Sequence, residues 1–350
     1  MTRTAPPYRT IIGGLCLLAG LCGPARAGEL VFTSWGGAYQ DAVRDAWLTP
    51  FGKETGLAVL EDTGPSLAKI RAMVETGSVS WDVVGTSGAS FMLGVKLGLF
   101  ERITDDMVDQ SHLIPGARTP YGVPSEIFAT VLGYSTRAFP HDHPRTFADF
   151  WDVKKFPGRR MLPARPTTVL EAALLADGVP AADVYATLST PAGLQRALDK
   201  VRAIRPSVAV WWNSGAQVVQ ALASGDAAMA LGWNGRFQDG QDADLPIAMS
   251  WDQSILQVGY FLIVKGAPDR DAAIRFLRYI SSAEAQARFS RYVAYGPTRT
   301  DVLPGIEPAR RTRLPSTPER MARGLFVDND WWARHGQDAT EKYTAVMEGN

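Results

Sequence analysis

The sequence predicts an α/β protein of two lobes joined by a two-stranded hinge. Three observations predict it. Short apolar strand signals alternate with amphipathic helical spacings along most of the chain, the pattern of parallel sheets covered by helices. The chain has 350 residues, beyond the roughly 250–300 at which one hydrophobic core usually divides. Two strongly apolar runs, Ala129–Tyr134 (ATVLGY) and Tyr260–Val264 (YFLIV), bracket one block of this alternation. The chain would leave the first lobe on one run and return on the other. The expectation is two separate sheets with a cleft between them. The first lobe is residues 28–135 plus about 260–300; the second is residues 136–259 plus about 301–350, with C-terminal helices packing across.

The first 27 residues read as an export leader. Arg3 and Arg9 are its positive start, Ile11–Leu21 its short apolar run, and Ala25-Arg26-Ala27 a small-x-small cleavage site. The run is too short for a membrane-spanning helix. Cleavage after Ala27 would release a periplasmic protein of 323 residues. Cys16 and Cys22 are the only two cysteines and both fall in the leader, so no disulfide or thiolate metal site is expected in the mature chain. Three of the 36 basic residues and none of the 36 acidic ones lie in the leader, leaving a net charge of −3. That balance gives no reason to invoke nucleic acid or an anionic membrane as a partner.

The elements follow in order. Leu30–Thr33 reads as a buried strand, Gly36-Gly37 as a turn, and Ala38–Phe51 as a helix with Val43, Trp47 and Phe51 at intervals of four. Leu57–Leu60 is the next strand, and Ser66 an N-cap for the helix Leu67–Glu75. Strand Asp82–Gly85 runs into a small-residue loop, Thr86–Ser90, before helix Phe91–Leu97. The second set has helices Val169–Ala176, Pro191–Ile204 and Ala216–Ala223, with strands Val208–Trp212 and Ala227–Trp233. Helices Arg270–Ile280 and Ala283–Val293 follow the return strand.

In open α/β sheets ligands bind beyond the carboxyl ends of the strands, and polar and aromatic residues recur there. Trp35 follows the first strand beside two glycines. Thr86-Ser87-Gly88 offers hydroxyls and backbone donors at a helix start, which suits an anion. Trp211-Trp212-Asn213-Ser214 and Trp233-Asn234-Gly235-Arg236 each follow a strand. A single tryptophan is more often core than ligand wall, and a single arginine more often a solvated surface charge; the coincidence of several at strand ends is what points to a site.

No catalytic constellation emerges. His141-Asp142-His143 lies in a proline-rich loop without a third ligand at a useful spacing, and an exposed loop is the simpler reading. No G-x-S-x-G, P-loop or dinucleotide fingerprint occurs. No cofactor or metal is expected. An exported α/β hydrolase or transferase with dispersed partners remains the alternative of another class.

The order of several short motifs carries a resemblance. These are Ser34-Trp35, Pro50-Phe51 through Glu54-Thr55-Gly56, Trp81–Val84, Leu97–Phe100, Tyr121–Pro124, Phe147–Trp151, Phe156-Pro157-Gly158, Trp233–Gly235 and Tyr295–Thr298. Over nearly all of the mature chain the sequence resembles the periplasmic polyamine-binding proteins of ABC transporters and their γ-aminobutyrate-binding relatives. The resemblance implies a type II periplasmic-binding fold that closes over a small-molecule solute. It also implies a membrane permease as partner, a monomer and no catalysis.

In polyamine binders, aromatic residues box the methylene chain and carboxylates hold the ammonium ends. Trp35, Trp233 and Tyr295 match the aromatic half. The acidic half departs: Pro163-Ala164-Arg165-Pro166 and Gly259-Tyr260 stand where such proteins carry acids. Arg165 and Arg236 would oppose a dication and suit a carboxylate, which guanidinium grips in bidentate fashion. Glu126, placed in the loop before the outgoing hinge strand, is the best partner for an amine, with Asp252 a second acid. The expected ligand is an amino-acid-like molecule; a polyamine is the alternative. The expected contacts are Trp35, Ser87, Glu126, Arg165, Trp212, Trp233, Asn234, Arg236, Tyr260 and Tyr295.

Overall fold

A computed structural model describes Met1, Thr2 and residues 28–349, without the side chains of Ser87 and Ala89. The expected leader and its cleavage site lie outside the described residues. Among the described residues the strands are β1 (Glu29–Ser34), β2 (Ala58–Thr63), β3 (Val83–Ser87), β4 (Val123–Ser135), β5 (Arg160–Pro163), β6 (Val208–Trp212), β7 (Met229–Trp233), β8 (Ile247–Ile263) and β9 (Leu325–Phe326). Their order is β2-β1-β3-β8-β4-β7-β5-β6, with β9 beside β8.

This is one hydrogen-bonded path, where the sequence led us to expect two separate sheets. The reason is the length of the two middle strands. β4 has 13 residues and β8 has 17, and they pair antiparallel along most of their length. β1, β2 and β3 run parallel at one end of this ribbon. β5, β6 and β7 run parallel at the other. β3 joins β8, and β7 joins β4, in antiparallel pairs.

That topology makes the two parallel groups point at each other. β3 runs inward and ends at Ser87, opposite Gly259 of β8. β7 also runs inward and ends at Trp233, opposite Thr130 of β4. The carboxyl ends of both groups therefore meet over the middle of the ribbon, where Glu126, Phe128 and Gln257 lie. The β4–β8 ladder slips register on either side of this point, between Pro124 and Ile127 and between Thr130 and Leu132. Such irregularities bend strands locally.

Local signals explain most of the helices. Ser66 accepts from the Lys69 amide at 3.2 Å and caps Leu67–Thr76. Thr190 and Asp269 cap Pro191–Ile204 and Arg270–Ile280 in the same way. The expected helix Ala38–Phe51 is three consecutive pieces, Gly37–Val43, a π-helical turn Arg44–Leu48, and Thr49–Thr55. Trp47 in the π turn donates its indole N–H to the Ala285 carbonyl at 2.8 Å.

Three sequence expectations are corrected. Thr86–Ser90 is not a loop: β3 continues to Ser87 and a helix starts at Gly88. Trp233–Arg236 is not a loop either, because Asn234 opens the helix Asn234–Asp242. Glu126 is not before a strand but inside β4.

One core, built on Phe32, Trp47, Phe51, Phe261, Phe276 and Phe289, packs the β1–β3 group against the helices after β8. Another, with Phe147, Phe150, Leu170, Leu198, Trp331 and Tyr343, packs the helices around β5. A third, including Ile127, Val131, Trp212 and Leu256, follows the ribbon between them. The C-terminal helix Asn329–Glu348 touches both the helix Gly88–Lys96 and the helix Pro191–Ile204.

Candidate functional site

Where the strand ends converge there is a cavity of about 410 Å³, a size that suits a small organic ligand. Its walls come from predictable places. Trp35 follows β1, Thr86 lies near the end of β3, Arg165 and Thr167 follow β5, Asn213 follows β6, Trp233 ends β7, and Arg236 lies in the first turn of the helix Asn234–Asp242 that follows it. The floor is the ribbon: Ser125, Glu126 and Phe128 of β4, with Gln257, Gly259, Tyr260 and Phe261 of β8.

Glu126 is the cavity's deepest charge, 3% exposed. It accepts a hydrogen bond from the Tyr39 hydroxyl at 3.1 Å. Burial pushes its carboxyl up to about 7, against the weaker downward pull of that bond. The same burial, then the Glu126 charge, raises the Tyr39 hydroxyl. Gly259 faces this carboxylate so closely that a Cβ there would overlap Glu126 Oε1. A side chain at this position would push the Glu126 carboxylate out of its present place.

Arg165 sits against two indoles. Its guanidinium carbon is 4.7 Å from the Trp212 ring centroid and 5.0 Å from that of Trp233, within cation–π range. Among the described residues it has no ion-pair partner, and burial lowers it to about 10. Arg236 differs: its Nη1 is 3.6 Å from Asp239 Oδ2, one helical turn on. Its Nε is buried and has no hydrogen-bond partner among the described residues.

The aromatic walls are held by close packing. Tyr260 stacks on Phe91 at 4.8 Å, and burial pushes its hydroxyl up to about 12. Tyr295 lies 5.7 Å from Phe128 and 6.3 Å from Tyr39 between ring centroids. Its hydroxyl, raised mainly by burial, feels both the Arg236 cation and the Glu126 carboxylate. Gly235 lies under this ring, where a Cβ would come within 2.6 Å.

Trp35, Glu126, Arg165, Trp233, Arg236, Tyr260 and Tyr295, all named from the sequence, line one cavity. Two expected contacts do not line it. Trp212 is 1% exposed, donates to the Leu231 carbonyl at 3.0 Å, and backs Arg165 from behind. Asn234 is fully buried. It accepts from the Ala129 amide at 2.9 Å and donates to the Ala294 carbonyl at 2.6 Å, tying β4 to the segment that carries Tyr295. The side chain of Ser87 lies outside the described residues. Asp252 pairs with Arg145 at 2.8 Å on the surface, away from the cavity. His143 stacks on Tyr134 at 5.4 Å, also outside it.

Sequence reasoning missed Tyr39, Phe128, Thr167 and Gln257. Gln257, Gly259 and Phe261 alternate along β8, a period-2 signal that was hidden because only the last part of β8 reads as a strand. Tyr39 lies in the first turn after Gly36-Gly37, and its neighbour across the cavity is far away in sequence.

A mostly apolar cavity with a few converging charges, at the carboxyl ends of two opposed sheet groups, defines a binding protein for small solutes. The chain belongs to the bacterial extracellular solute-binding proteins, whose family model matches residues 46–316. It is 34% identical over 323 residues to the gamma-aminobutyric acid-binding protein of Pseudomonas aeruginosa, covering 92% of this chain and 91% of that one. The structure of the PBP MotA from A. tumefaciens B6 in complex with glucopine matches with a TM-score of 0.86 and 35% identity, covering 91% of this chain and 99% of that one. An ABC transporter substrate-binding protein from Bradyrhizobium japonicum USDA 110 matches with a TM-score of 0.85 and 35% identity, over 91% and 99% of the respective chains. These relatives are solute-binding proteins and not enzymes. The family places the chain outside the cytoplasm, with a small-molecule ligand and a membrane permease as partners.

Proposed function

We propose that this protein captures a small zwitterionic amino acid of the γ-aminobutyrate kind and delivers it to the permease of an ABC importer. The observation that supports the reading is the cavity's charge pattern: Arg165 lacks an anionic partner among the described residues, and Glu126 is a buried carboxylate facing the same space. Asp239 already offsets Arg236. One carboxylate and one ammonium on the ligand then complete the balance. A dication would meet Arg165 with only Glu126 to compensate it, and an unpaired buried charge costs several kcal/mol. Trp35, Trp233 and Tyr295 would pack the carbon chain.

The same reading assigns the rest of the chain. Residues 1–27 are the export signal, cut after Ala27. Residues 28–135 with about 260–300 form one lobe, and 136–259 with about 301–350 the other. β4 and β8 form the hinge, flexing where their register slips, and closure strips water from the ligand. The protein acts as a monomer, without nucleic acid, and its closed form docks on the permease.

Titration with γ-aminobutyrate as pH is varied tests the reading. Glu126 must be ionised to hold an ammonium, so affinity is expected to fall as pH drops below about 7, approaching tenfold per pH unit. Unliganded stability should move the other way. A carboxyl raised from 4.5 to about 7 binds its proton more tightly when folded, so the fold loses about 3 kcal/mol as pH rises through that window. Pairing with the ligand ammonium removes this cost. Affinity that is flat from pH 5 to pH 8, or absent throughout, would contradict the assignment.

A further inference from the structure

The loop that presents Arg165 is gripped at both ends by one helix that does not line the cavity. The Tyr343 hydroxyl donates to the carbonyl of Pro163, the last residue of β5, at 2.7 Å. The Trp332 indole N–H donates to Glu171 Oε1, in the first turn of helix Val169–Ala176, at 2.7 Å. These two anchors bracket residues 164–168. Both donors belong to the C-terminal helix Asn329–Glu348. They are eleven residues apart, close to three helical turns, so they point from the same face. All four groups are buried.

The loop between the anchors is strained. Thr168 has φ 71°, a left-handed conformation that is costly for a β-branched residue. Its hydroxyl is buried and has no partner among the described residues. Backbone of this kind persists only where its surroundings fix it. Arg165 needs that fixing more than most arginines do. Among the described residues no carboxylate orients its guanidinium, and the indole faces of Trp212 and Trp233 restrain it without setting its reach. Where the guanidinium points therefore depends on the backbone beneath it. Tyr343 also packs edge-on against Trp211 at 5.7 Å, beside the strand that carries Trp212.

We infer that Tyr343 and Trp332 are positioning residues for ligand binding: through Pro163 and Glu171 they hold loop 164–168 so that Arg165 meets the ligand carboxylate. This rests on the reading of Arg165 as the carboxylate partner. The C-terminal helix then sets affinity without touching the solute. Its other end reaches the second wall, where Asn329 Oδ1 lies 3.6 Å from the place of a Cβ on Gly88, and Gly88 lines the cavity.

A double-mutant cycle on the full chain, titrated with γ-aminobutyrate, tests this. Tyr343→Phe keeps the ring and removes only the hydroxyl. It is expected to weaken binding roughly tenfold in the Arg165 protein and less than about twofold in the Arg165→Lys protein, because the two effects run through one side chain. Trp332→Phe should show the same coupling, and decides the matter if Tyr343→Phe does not fold. Equal losses in both backgrounds, or a loss under about twofold in the Arg165 protein, would overturn the positioning role while leaving the proposed function standing. If the unaltered protein binds neither γ-aminobutyrate nor any other ω-amino acid, the function itself fails and this inference with it.

Discussion

Replacing Arg165 with methionine is expected to remove most ligand affinity while leaving the unliganded protein at least as stable as before. The two effects have one cause. Arg165 is a partly buried cation with no carboxylate beside it among the described residues. In the unliganded state its desolvation is only partly offset by the faces of Trp212 and Trp233. An apolar side chain of similar volume lifts that cost, and such replacements are often neutral or stabilising. The lost cation–π contacts, about 0.5–2 kcal/mol, limit the gain. In the complex the same change leaves the ligand carboxylate buried without a partner. Truncating one member of a buried charge pair costs about 2–5 kcal/mol, or between roughly thirtyfold and several thousandfold in affinity. Calorimetric titration with γ-aminobutyrate reads the second effect, and thermal unfolding without ligand reads the first. A variant that binds normally would show that the guanidinium does not meet the ligand.

Glu126→Gln is expected to act on the other end of the solute with similar force. The amide keeps the shape and can still accept from Tyr39, but it carries no charge for an ammonium. Affinity should fall by about 2–5 kcal/mol at pH 8, and the decline of binding toward acid pH should disappear. The unliganded variant should melt higher than the parent at pH 8 and close to it at pH 5. The raised carboxyl costs the fold stability progressively as pH rises from about 4.5 to about 7, and in full above that. Binding measured at pH 5 and pH 8 checks the first part, and melting temperatures at the same two values check the second. An unchanged pH profile would mean that another group controls amine recognition.

How much of this was legible in the sequence follows from how local each feature is. Helices Val169–Ala176, Pro191–Ile204 and Arg270–Ile280 and strand Val208–Trp212 have the bounds that periodicity and capping residues indicate. Asn234–Asp242 (NGRFQDGQD) escaped notice because it has two glycines and a single apolar residue to set a period. The first half of β8 escaped because Trp251-Asp252-Gln253 reads as a polar loop, although it pairs within a long ribbon. The ribbon's length turned two expected sheets into one path.

The site divided along the same line. Strand-end residues such as Trp35, Arg165 and Trp233 were visible because a strand's carboxyl end is a local feature. Whether a strand-end residue faces the cavity or the core was not. Trp212 and Trp233 each end a strand and differ only in what packs on them, which places one behind Arg165 and the other beside the cavity. The pairing of Tyr39 with Glu126 joins positions 87 residues apart, and no local pattern announces it.

The central claim is that the cavity accepts one carboxylate and one ammonium on the same small molecule. Thermal shift of the purified protein against a panel of ω-amino acids, polyamines and dicarboxylates tests it most directly, since a ligand that binds only the folded state raises the melting temperature. The account predicts stabilisation by γ-aminobutyrate and its near homologues, and little or none by putrescine, spermidine or glutarate. Stabilisation by putrescine or spermidine alone, unchanged in the Arg165→Met variant, would contradict it.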